Sequence, residues 1–248
     1  MKDKAKAKRL TKVLAGLLVL LVSVVMICAI IIPHEAQRVA SKPSEGRTAT
    51  PVVVLPSETG EDREVRGIDW RYWQSVNPDI IGWITIPGTP IDYPIMQAHR
   101  EDPTHYLNYD AYDSYNFYGC IYVDAGCSIE SDNVIIFGHN MGYFDDSMFT
   151  SLTNYLDQNY LDGHQMVVIQ TPEKVMPLSV RAAEEISPYG YEKRVEFDSN
   201  EELQEYYLGL WQRAPSRSAE PKDDELEQLF TLITCDSDGY TRAIVYAG

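Results

Sequence analysis

The sequence has few cysteines and few basic residues for its length, and both scarcities narrow the class of protein. Four cysteines in 248 residues do not make a disulfide-dense scaffold. The 21 Lys and Arg residues stand against 37 Asp and Glu, a formal net charge of −16. A nucleic-acid-binding domain normally carries a basic face, so nucleic acid is disfavoured as a partner. The sequence also lacks internal repeats, a Walker loop and a dinucleotide-binding fingerprint.

The first 32 residues differ in character from the rest of the chain. Residues 1–12 carry five Lys and one Arg against a single Asp, and residues 13–32 carry no charged side chain. Twenty apolar residues in a helix, at about 1.5 Å per residue, cross the roughly 30 Å hydrocarbon core of a bilayer. The run is longer than in most cleavable signal peptides, so we predict an uncleaved single transmembrane helix, with cleavage the lesser alternative. The basic flank predicts a cytoplasmic N-terminus and an extracellular remainder in the cell membrane.

A flexible extracellular linker is predicted for residues 33–66, which are rich in Pro, Ser, Thr, Glu and Gly and offer little apolar surface to bury. Its one apolar run, residues 52–55, could dock on the domain or pair as a strand. The folded domain is predicted for residues 67–248. Residues 33–248 hold 15 basic and 36 acidic side chains, a net charge of −21. Such a charge attracts cationic partners such as amines, unless it serves solubility alone.

Hydrophobic patterning predicts a mainly β domain with few helices. Short apolar runs bounded by Gly, Pro, Asn and Asp predict strands within residues 80–97, 117–124, 133–138, 165–172, 176–187 and 229–248. Helices are predicted at 68–77, in the first part of 147–161, and at 199–214. The last of these has the strongest pattern, with Ser199 and Glu202 spaced as a capping box and an apolar face of Leu203, Tyr206, Tyr207, Leu210 and Trp211. Many short strands with few helices suggest a barrel or sandwich.

Three side chains near the ends of predicted strands have the chemistry for acyl transfer. The strand-like run LFTLITC ends at Cys235, the turn-forming DSDG follows, and Arg242 opens the next run. A thiol with an ordinary pKa of about 8.5 needs a partner for its proton, because only the thiolate attacks efficiently. His139 follows the apolar run 133–138 in a glycine-flanked turn. A guanidinium suits the negative charge that develops on a carbonyl oxygen during acyl transfer.

Each of these three residues also has a purely structural interpretation. Cys235 could be a buried core thiol, since free cysteine is commonly buried. His139 could cap a turn, and Arg242 could be a surface cation that pairs with Asp236 or Asp238. Nothing in the sequence establishes that the strands bearing the cysteine and the histidine are neighbours.

The motifs around these residues resemble those of sortases, the cysteine transpeptidases that attach proteins to Gram-positive cell walls. TLITC at 231–235 matches the TLxTC signature of that family, and FGHNM at 137–141 resembles its histidine motif. The order His139, Cys235, Arg242 also agrees. The resemblance implies Cys235 as the nucleophile, His139 as the general acid and base, and Arg242 as the stabiliser of the oxyanion and substrate.

The resemblance covers roughly residues 68–248 and is greatest to class B sortases. It includes the segments at 77–97, 106–108 and 145–149 and the helix at 199–214. It implies a mainly β fold, an eight-stranded β-barrel with an N-terminal helix and an extra helix before the cysteine-bearing strand. The active site is then expected in a groove at one end of the barrel.

Four further residues belong to the predicted substrate groove. Asn108 is included by resemblance alone, and Thr234 either shapes the groove or simply packs. Phe137 and Ile233 stand where many class B members have Tyr and Ser, and both changes remove a hydroxyl near the groove. The stretch between the cysteine and the arginine is also short for the class.

The resemblance implies a reaction and its partners. The thiolate would attack the carbonyl of Thr in a C-terminal sorting signal of a surface protein. The thioacyl enzyme would then pass its acyl group to an amine, typically on a peptidoglycan precursor, and no cofactor or metal is expected. The alternatives are a pilin-polymerising sortase, a hydrolytic cysteine peptidase and a non-catalytic wall-binding module on a membrane stalk. No second hydrophobic segment follows the barrel residues, which weakens the pilin alternative.

The remaining candidate residues are expected to serve structure. Cys120 is predicted to lie in the core and Cys127 to be exposed after a turn, although a disulfide between them is open in an extracellular domain. His99 and His105 lack the neighbouring ligands of a known metal site, so we take them as surface residues. The acidic pair 145–146 lacks calcium-loop spacing and is predicted to be a solvated loop.

Overall fold

The computed structural model describes residues 52–55, 63–142, 145–187, 193–219, 226–235 and 240–248, with residues 52–55, 63–66 and Cys235 described by their backbone alone. All the described residues belong to one compact unit within residues 41–248. The predicted cytoplasmic head and membrane anchor therefore lie outside the described residues. No helix within the described ranges is both long and apolar enough to cross a bilayer.

Short strands dominate the chain order, as the alternation of apolar runs and turn residues predicts. The strands are β1 (Val52–Leu55), β2 (Arg63–Arg66), β3 (Ile80–Thr85), β4 (Asp92–Gln97), β5 (Ile121–Val123), β6 (Asn133–Phe137), β7 (Met166–Gln170), β8 (Val175–Ile186), β9 (Ser216–Arg217), β10 (Leu229–Cys235) and β11 (Arg242–Ala247). The helices are α1 (Trp70–Val76), α2 (Gln158–Gly163) and α3 (Asn200–Arg213), with 3₁₀ helices at His105–Leu107 and Thr150–Leu156. β1 and β2 form a separate antiparallel pair, so the apolar run 52–55 does pair as a strand.

Eight of these strands close into a barrel. Their order is β11-β10-β6-β5-β4-β3-β7-β8, and β8 pairs back onto β11 to complete the ring. Most neighbours are antiparallel, but β10 runs parallel to β6 and β5 runs parallel to β4. β9 pairs with a short stretch of β8. The predicted mainly β, eight-stranded barrel is confirmed, and closure removes the free strand edges that an open sheet would leave.

Burial on both faces explains why β6 and β10 appear in the sequence as continuous apolar runs. All the described side chains of β10 and those of Asn133–Ile136 are buried, and strands covered on both sides lose the alternating pattern. Large side chains fill the interior, among them Tyr118, Phe149 and Phe230. A second cluster lies where α1 packs against β3, with the rings of Trp73 and Trp83 5.5 Å apart.

The two helices predicted to flank the barrel strands are present. In α1, the Asp69 carboxylate accepts the N–H of Tyr72 at 3.1 Å and caps the first turn. In α3, the Ser199 hydroxyl accepts the N–H of Glu202, as the capping box requires. The Glu202 carboxylate accepts the N–H of Asp198 instead of that of Ser199. The apolar face packs on the barrel core through Leu203, Tyr207 and Leu210, with Tyr206 and Trp211 partly buried beside it.

Two predicted boundaries need correction. The segment 147–161 is helical beyond its first part, because Asp157 caps α2 by accepting the N–H of Asn159 at 2.7 Å. The strand predicted over residues 117–124 is confined to β5, because Gly119 just before it adopts a left-handed φ of +59° and turns the chain.

Candidate active site

The last two strands bring Cys235 and Arg242 together. Cys235 ends β10, Arg242 begins β11, and the two residues are direct partners in the antiparallel register. Adjacent strands lie about 4.8 Å apart, and directly opposite residues belong to the same face of a sheet. The register that the sequence left open therefore makes the thiol-bearing and guanidinium-bearing positions nearest neighbours.

The histidine approaches from the other neighbour of β10. β6 and β10 run parallel, with Phe137 registered beside Ile233. The N–H of Gly138 donates to the carbonyl of Ile233 at 3.1 Å, which completes the last pair of this ladder. Because the two strands are parallel, His139, which follows Gly138, comes after β6 at the same end of the barrel where Cys235 ends β10. The strand that bears the cysteine thus has the histidine after one neighbour and the arginine at the start of the other.

The imidazole of His139 has a defined tautomer. This half-buried ring has its Nε2 at 2.7 Å from the main-chain carbonyl oxygen of Leu107. A carbonyl only accepts, so Nε2 must carry the hydrogen, and in the neutral ring Nδ1 is then the acceptor. The His139 carbonyl in turn accepts the N–H of Phe149 at 2.9 Å. Both the ring and the main chain of this residue are therefore held, and Nδ1 is the nitrogen left to take a proton.

Arg242 is half-buried, and no carboxylate among the described residues pairs with it. The alternative pairing with Asp236 or Asp238 concerns residues outside the described ranges. A guanidinium carries five N–H donors in a planar fork, which suits an oxygen that gains negative charge. Because Arg242 is the direct strand partner of Cys235, it is the cationic residue closest to Cys235 in the pairing of β10 with β11.

The four predicted groove residues divide into an accessible pair and an enclosed pair. Asn108 is exposed, and Phe137 is half-buried with its ring 5.6 Å from that of Tyr122. Ile233 and Thr234 are buried, with 0% and 1% of their surface exposed. The Thr234 hydroxyl has no hydrogen-bond partner among the described residues. Only the first pair is open to a substrate in this structure.

Sequence reasoning missed the Leu107 carbonyl, which is the direct partner of the imidazole. The sequence pattern identified its neighbour Asn108 through the YLN motif, but a main-chain oxygen has no side-chain signature. The ammonium of Lys193, which lies 5.2 Å from the centre of the Phe137 ring and pairs with Asp124, was also missed. It comes from a segment distant in the chain, so no local pattern links it to the groove.

The predictions for the remaining cysteines are half right. Both Cys120 and Cys127 are free thiols, and both are buried, so the predicted exposure of Cys127 is wrong. Desolvation raises the pKa of both thiols, and the nearby Asp110 carboxylate adds to the effect on Cys120. Neither thiol is therefore a ready nucleophile at neutral pH.

The prediction of a solvated acidic loop at residues 145–146 is also wrong for Asp145. Asp145 is only 8% exposed, and its carboxylate accepts hydrogen bonds from the Tyr118 hydroxyl at 2.7 Å and from the Ser147 N–H at 2.9 Å. These donors compensate the burial of a charge. Asp145 therefore ties the segment that follows His139 to Tyr118, just before β5.

His99 and His105, the two predicted surface histidines, each pair with a nearby aspartate. His99 lies 2.9 Å from Asp79 and His105 lies 2.7 Å from Asp113. His105 also stacks on Tyr109, with 4.3 Å between ring centres. Within the described ranges, no three His, Cys, Asp or Glu side chains are arranged to hold a metal ion.

A closed eight-stranded barrel with a strand-end cysteine between histidine-bearing and arginine-bearing neighbours is the arrangement of a cysteine transpeptidase. This chain belongs to the sortase family: the family's Sortase domain matches residues 84–248.

The relatives point to class B. The chain is 31% identical to Sortase B of Listeria monocytogenes over 73% of this chain and 72% of the relative. It is 26% identical to Sortase B of Staphylococcus aureus, over 68% and 67% of the two chains. Among solved structures, the S. aureus sortase B–substrate complex is 25% identical with a TM-score of 0.64, covering 72% of this chain and 82% of that one. Sortase B from Bacillus anthracis is 27% identical with a TM-score of 0.64, covering 86% and 91%.

Proposed function

We propose that this enzyme is a membrane-anchored transpeptidase of the class B type that joins surface proteins to an amine of the cell wall. Cys235 is the nucleophile, His139 handles the protons and Arg242 stabilises the oxyanion. The observation that supports these roles best is the strand register, in which Cys235 pairs with Arg242 and β10 runs parallel to β6, whose end leads to His139.

In the first half-reaction, the Cys235 thiolate attacks the carbonyl carbon of Thr in the sorting signal and forms a C–S bond. The carbonyl oxygen becomes an oxyanion, which the Arg242 guanidinium stabilises. His139, protonated at Nδ1, gives that proton to the leaving amine as the peptide C–N bond breaks. A thioester remains on the enzyme, and the C-terminal part of the signal departs as a neutral amine.

In the second half-reaction, an acceptor amine attacks the thioester carbon. His139 takes the proton that the amine loses, the C–S bond breaks, and the thiolate is restored. The products are a new amide and the starting enzyme. Water attacking in place of the amine would make the same site a hydrolase, so the identity of the second nucleophile distinguishes the two functions.

The choice of acceptor rests on relatives and on charge. One of the similar solved structures is a sortase B complexed with triglycine, whose N-terminus is a primary amine. The acidic balance of residues 33–248 favours the approach of a cationic amine. Anchoring through residues 13–32 keeps the catalytic domain on the extracellular side, where cell-wall precursors carry their amines. A glycine-type or other peptidoglycan amine is therefore the acceptor class.

Mass spectrometry of the full chain with a library of Thr-containing peptides, with and without triglycine, tests this function. We expect an acyl-enzyme on Cys235 and a peptide–triglycine product whose yield rises with triglycine concentration. Hydrolysis products alone at high triglycine concentration would favour the peptidase. No acyl-enzyme with any peptide, together with a Cys235 thiol inert to alkylation, would favour the non-catalytic wall-binding module.

A further inference from the structure

The hydrogen bond from His139 ends on a main-chain oxygen, which raises the question of what holds that oxygen in place. Leu107 is the last residue of the 3₁₀ helix His105–Leu107, and the chain leaves it without regular structure. Loops of this kind are ordinarily more mobile than strands. The Leu107 carbonyl therefore needs contacts with other residues to stay in one position. We call the segment that supplies these contacts, residues 105–120, the carbonyl loop.

The main chain on both sides of Leu107 is tied to the returning part of the carbonyl loop. The carbonyl of Tyr106 accepts the N–H of Cys120 at 2.8 Å, and the carbonyl of Asn108 accepts the N–H of Asn116 at 2.8 Å. Leu107 is thus bracketed by two hydrogen bonds. Its own carbonyl is left pointing to the imidazole.

Gly119 lies directly behind that carbonyl. A Cβ at this position would lie 2.7 Å from the Leu107 oxygen and 2.3 Å from the Tyr106 oxygen, and the φ of +59° disfavours any L side chain. Main-chain oxygens cannot rotate away as a side chain can. A methyl group here would therefore push the Leu107 carbonyl out of its position.

Two buried polar side chains fix the path of the loop between these ties. Asp110 and Asn116 are 4% and 1% exposed. The Asp110 carboxylate accepts the N–H groups of Tyr112 at 3.0 Å and Ser114 at 3.1 Å, and faces the Asn116 amide at 3.4 Å. The Asn116 side-chain oxygen accepts the N–H of Tyr118 at 3.1 Å. Leaving such buried groups unpaired is unfavourable, so the network favours one conformation of the loop.

We propose that Asp110, Asn116 and Gly119 are positioning residues for His139, acting through the Leu107 carbonyl. They hold the acceptor that keeps the hydrogen on Nε2 and leaves Nδ1 as the nitrogen that exchanges a proton. The inference rests on the proposed role of His139 as the proton carrier.

The chemistry of the acceptor fits this role. An acid–base histidine is commonly oriented by a third group, often a carboxylate. Here that group is a neutral carbonyl, which fixes the tautomer without adding a negative charge beside the thiolate. The buried carboxylate of Asp110 is compensated by main-chain N–H donors.

The test uses the full chain with a Thr-containing peptide selected from the library, and triglycine. Asn116→Ala removes both side-chain bonds of the network and leaves the main-chain bond to Asn108. We expect kcat to fall about tenfold with KM within about twofold, as for other groups that orient a functional residue. The ¹⁵N spectrum of the labelled histidines, recorded for the neutral ring and assigned by loss of a signal in His139→Ala, should show that the Nε2–H form of His139 is no longer dominant.

A matched control variant and a double variant that exchanges the residues at positions 110 and 116 distinguish a loss of His139 positioning from a loss of fold stability. Asn133→Ala removes a buried amide that bonds the carbonyl of Arg194 and the hydroxyl of Thr231 at the opposite end of β6. It should destabilise the fold but leave the His139 tautomer unchanged. Asn116→Asp sets two carboxylates against each other and should lower kcat, whereas adding Asp110→Asn restores one carboxylate and one amide and should recover it.

Wild-type kcat and an unchanged His139 tautomer in folded Asn116→Ala, or in folded Asn116→Asp, would overturn the proposal. A double variant that is folded yet no more active than Asn116→Asp would do the same. If Asn116→Ala does not fold, the test compares kcat and the His139 tautomer of Asn116→Asp with those of the double variant Asp110→Asn, Asn116→Asp. Loss of activity in His139→Ala combined with wild-type behaviour in these variants would refute the positioning role alone. Activity retained in His139→Ala would refute the proposed function itself.

Discussion

His139 depends on two regions that are built in different ways. On one side, β6 and β10 are apolar, buried and joined by a parallel ladder of main-chain hydrogen bonds. On the other, the carbonyl loop has a single short 3₁₀ helix and depends on a few polar side chains and one glycine. The first region sets where the histidine is along the barrel end, and the second sets how its ring is turned.

This difference separates stability from catalysis. Strand register is fixed by many bonds at once, so no single side chain of β6 or β10 determines the position of the backbone. The conformation of the carbonyl loop around Leu107 depends on separate bonds of individual side chains, so losing one can change the direction of a single oxygen. We therefore expect substitutions in the barrel core to lower the free energy of unfolding, and substitutions in the carbonyl loop to lower kcat first.

The largest effect is expected for Cys235→Ala. Without the nucleophile the acyl-enzyme cannot form, and turnover should fall by at least ~10³-fold while the fold survives. Acyl-enzyme formation is followed by mass spectrometry and the fold by circular dichroism. Cys127→Ala, which removes a buried thiol of high pKa, is the control and should keep its activity. Peptide cleavage by Cys235→Ala at the wild-type rate would rule out this nucleophile.

The next largest effect is expected for His139→Gln, with a loss of about 10²–10⁴-fold in kcat/KM. Glutamine keeps a polar side chain but cannot exchange a proton near neutral pH. Steady-state kinetics with the selected peptide and triglycine measure the loss. The exposed His99 offers the matched variant His99→Gln, for which little change is expected. Equal losses in the two variants would contradict the assignment.

Arg242→Lys should cost about 10²–10³-fold in kcat, the usual cost of removing an oxyanion donor. Lysine preserves the charge but not the planar fork of donors. The exposed Arg100, changed to Lys, controls for the substitution itself. Near-normal turnover in Arg242→Lys would mean that charge alone is sufficient at this position.

Leu210→Ala tests the barrel core, where we expect an effect on stability and little effect on catalysis. Leu210 is fully buried where α3 packs on the barrel. Its truncation should lower the free energy of unfolding by about 2–5 kcal/mol, measured by urea denaturation. At temperatures where the variant remains folded, kcat/KM should stay within about twofold of wild type. A large loss of kcat in the folded variant would show that the two regions are not separable.

The smallest effect concerns the two other cysteines of the barrel. Because burial raises the pKa of the Cys120 and Cys127 thiols, their thiolate fraction at pH 7 is below that of a free thiol. Iodoacetamide at pH 7 should therefore modify Cys235 long before either of them. Their labelling should rise only as the pH becomes alkaline, as measured by peptide mapping. Rapid labelling of Cys120 at pH 7 would contradict the burial that the structure gives it.

Much of the fold follows from local patterns. The apolar runs predict the barrel strands because a buried strand excludes polar side chains along its length. The helix α3 follows from its cap at Ser199 and its apolar face, both of which are local features. The boundaries of β5 and α2 did not follow, because Gly119 and Asp157 act through backbone geometry and capping that weak local patterns do not reveal.

The sequence by itself determined the chemistry of this protein: a thiol, an imidazole and a guanidinium in family motifs, each at the end of an apolar run. Only the tertiary structure decided that β6 is the second neighbour of β10, because that pairing joins residues nearly a hundred positions apart. It also decided the burial of Asp145 and the partner of the His139 ring. A main-chain carbonyl is common to every residue, so only the folded path of the chain distinguishes the oxygen of Leu107 from all the others.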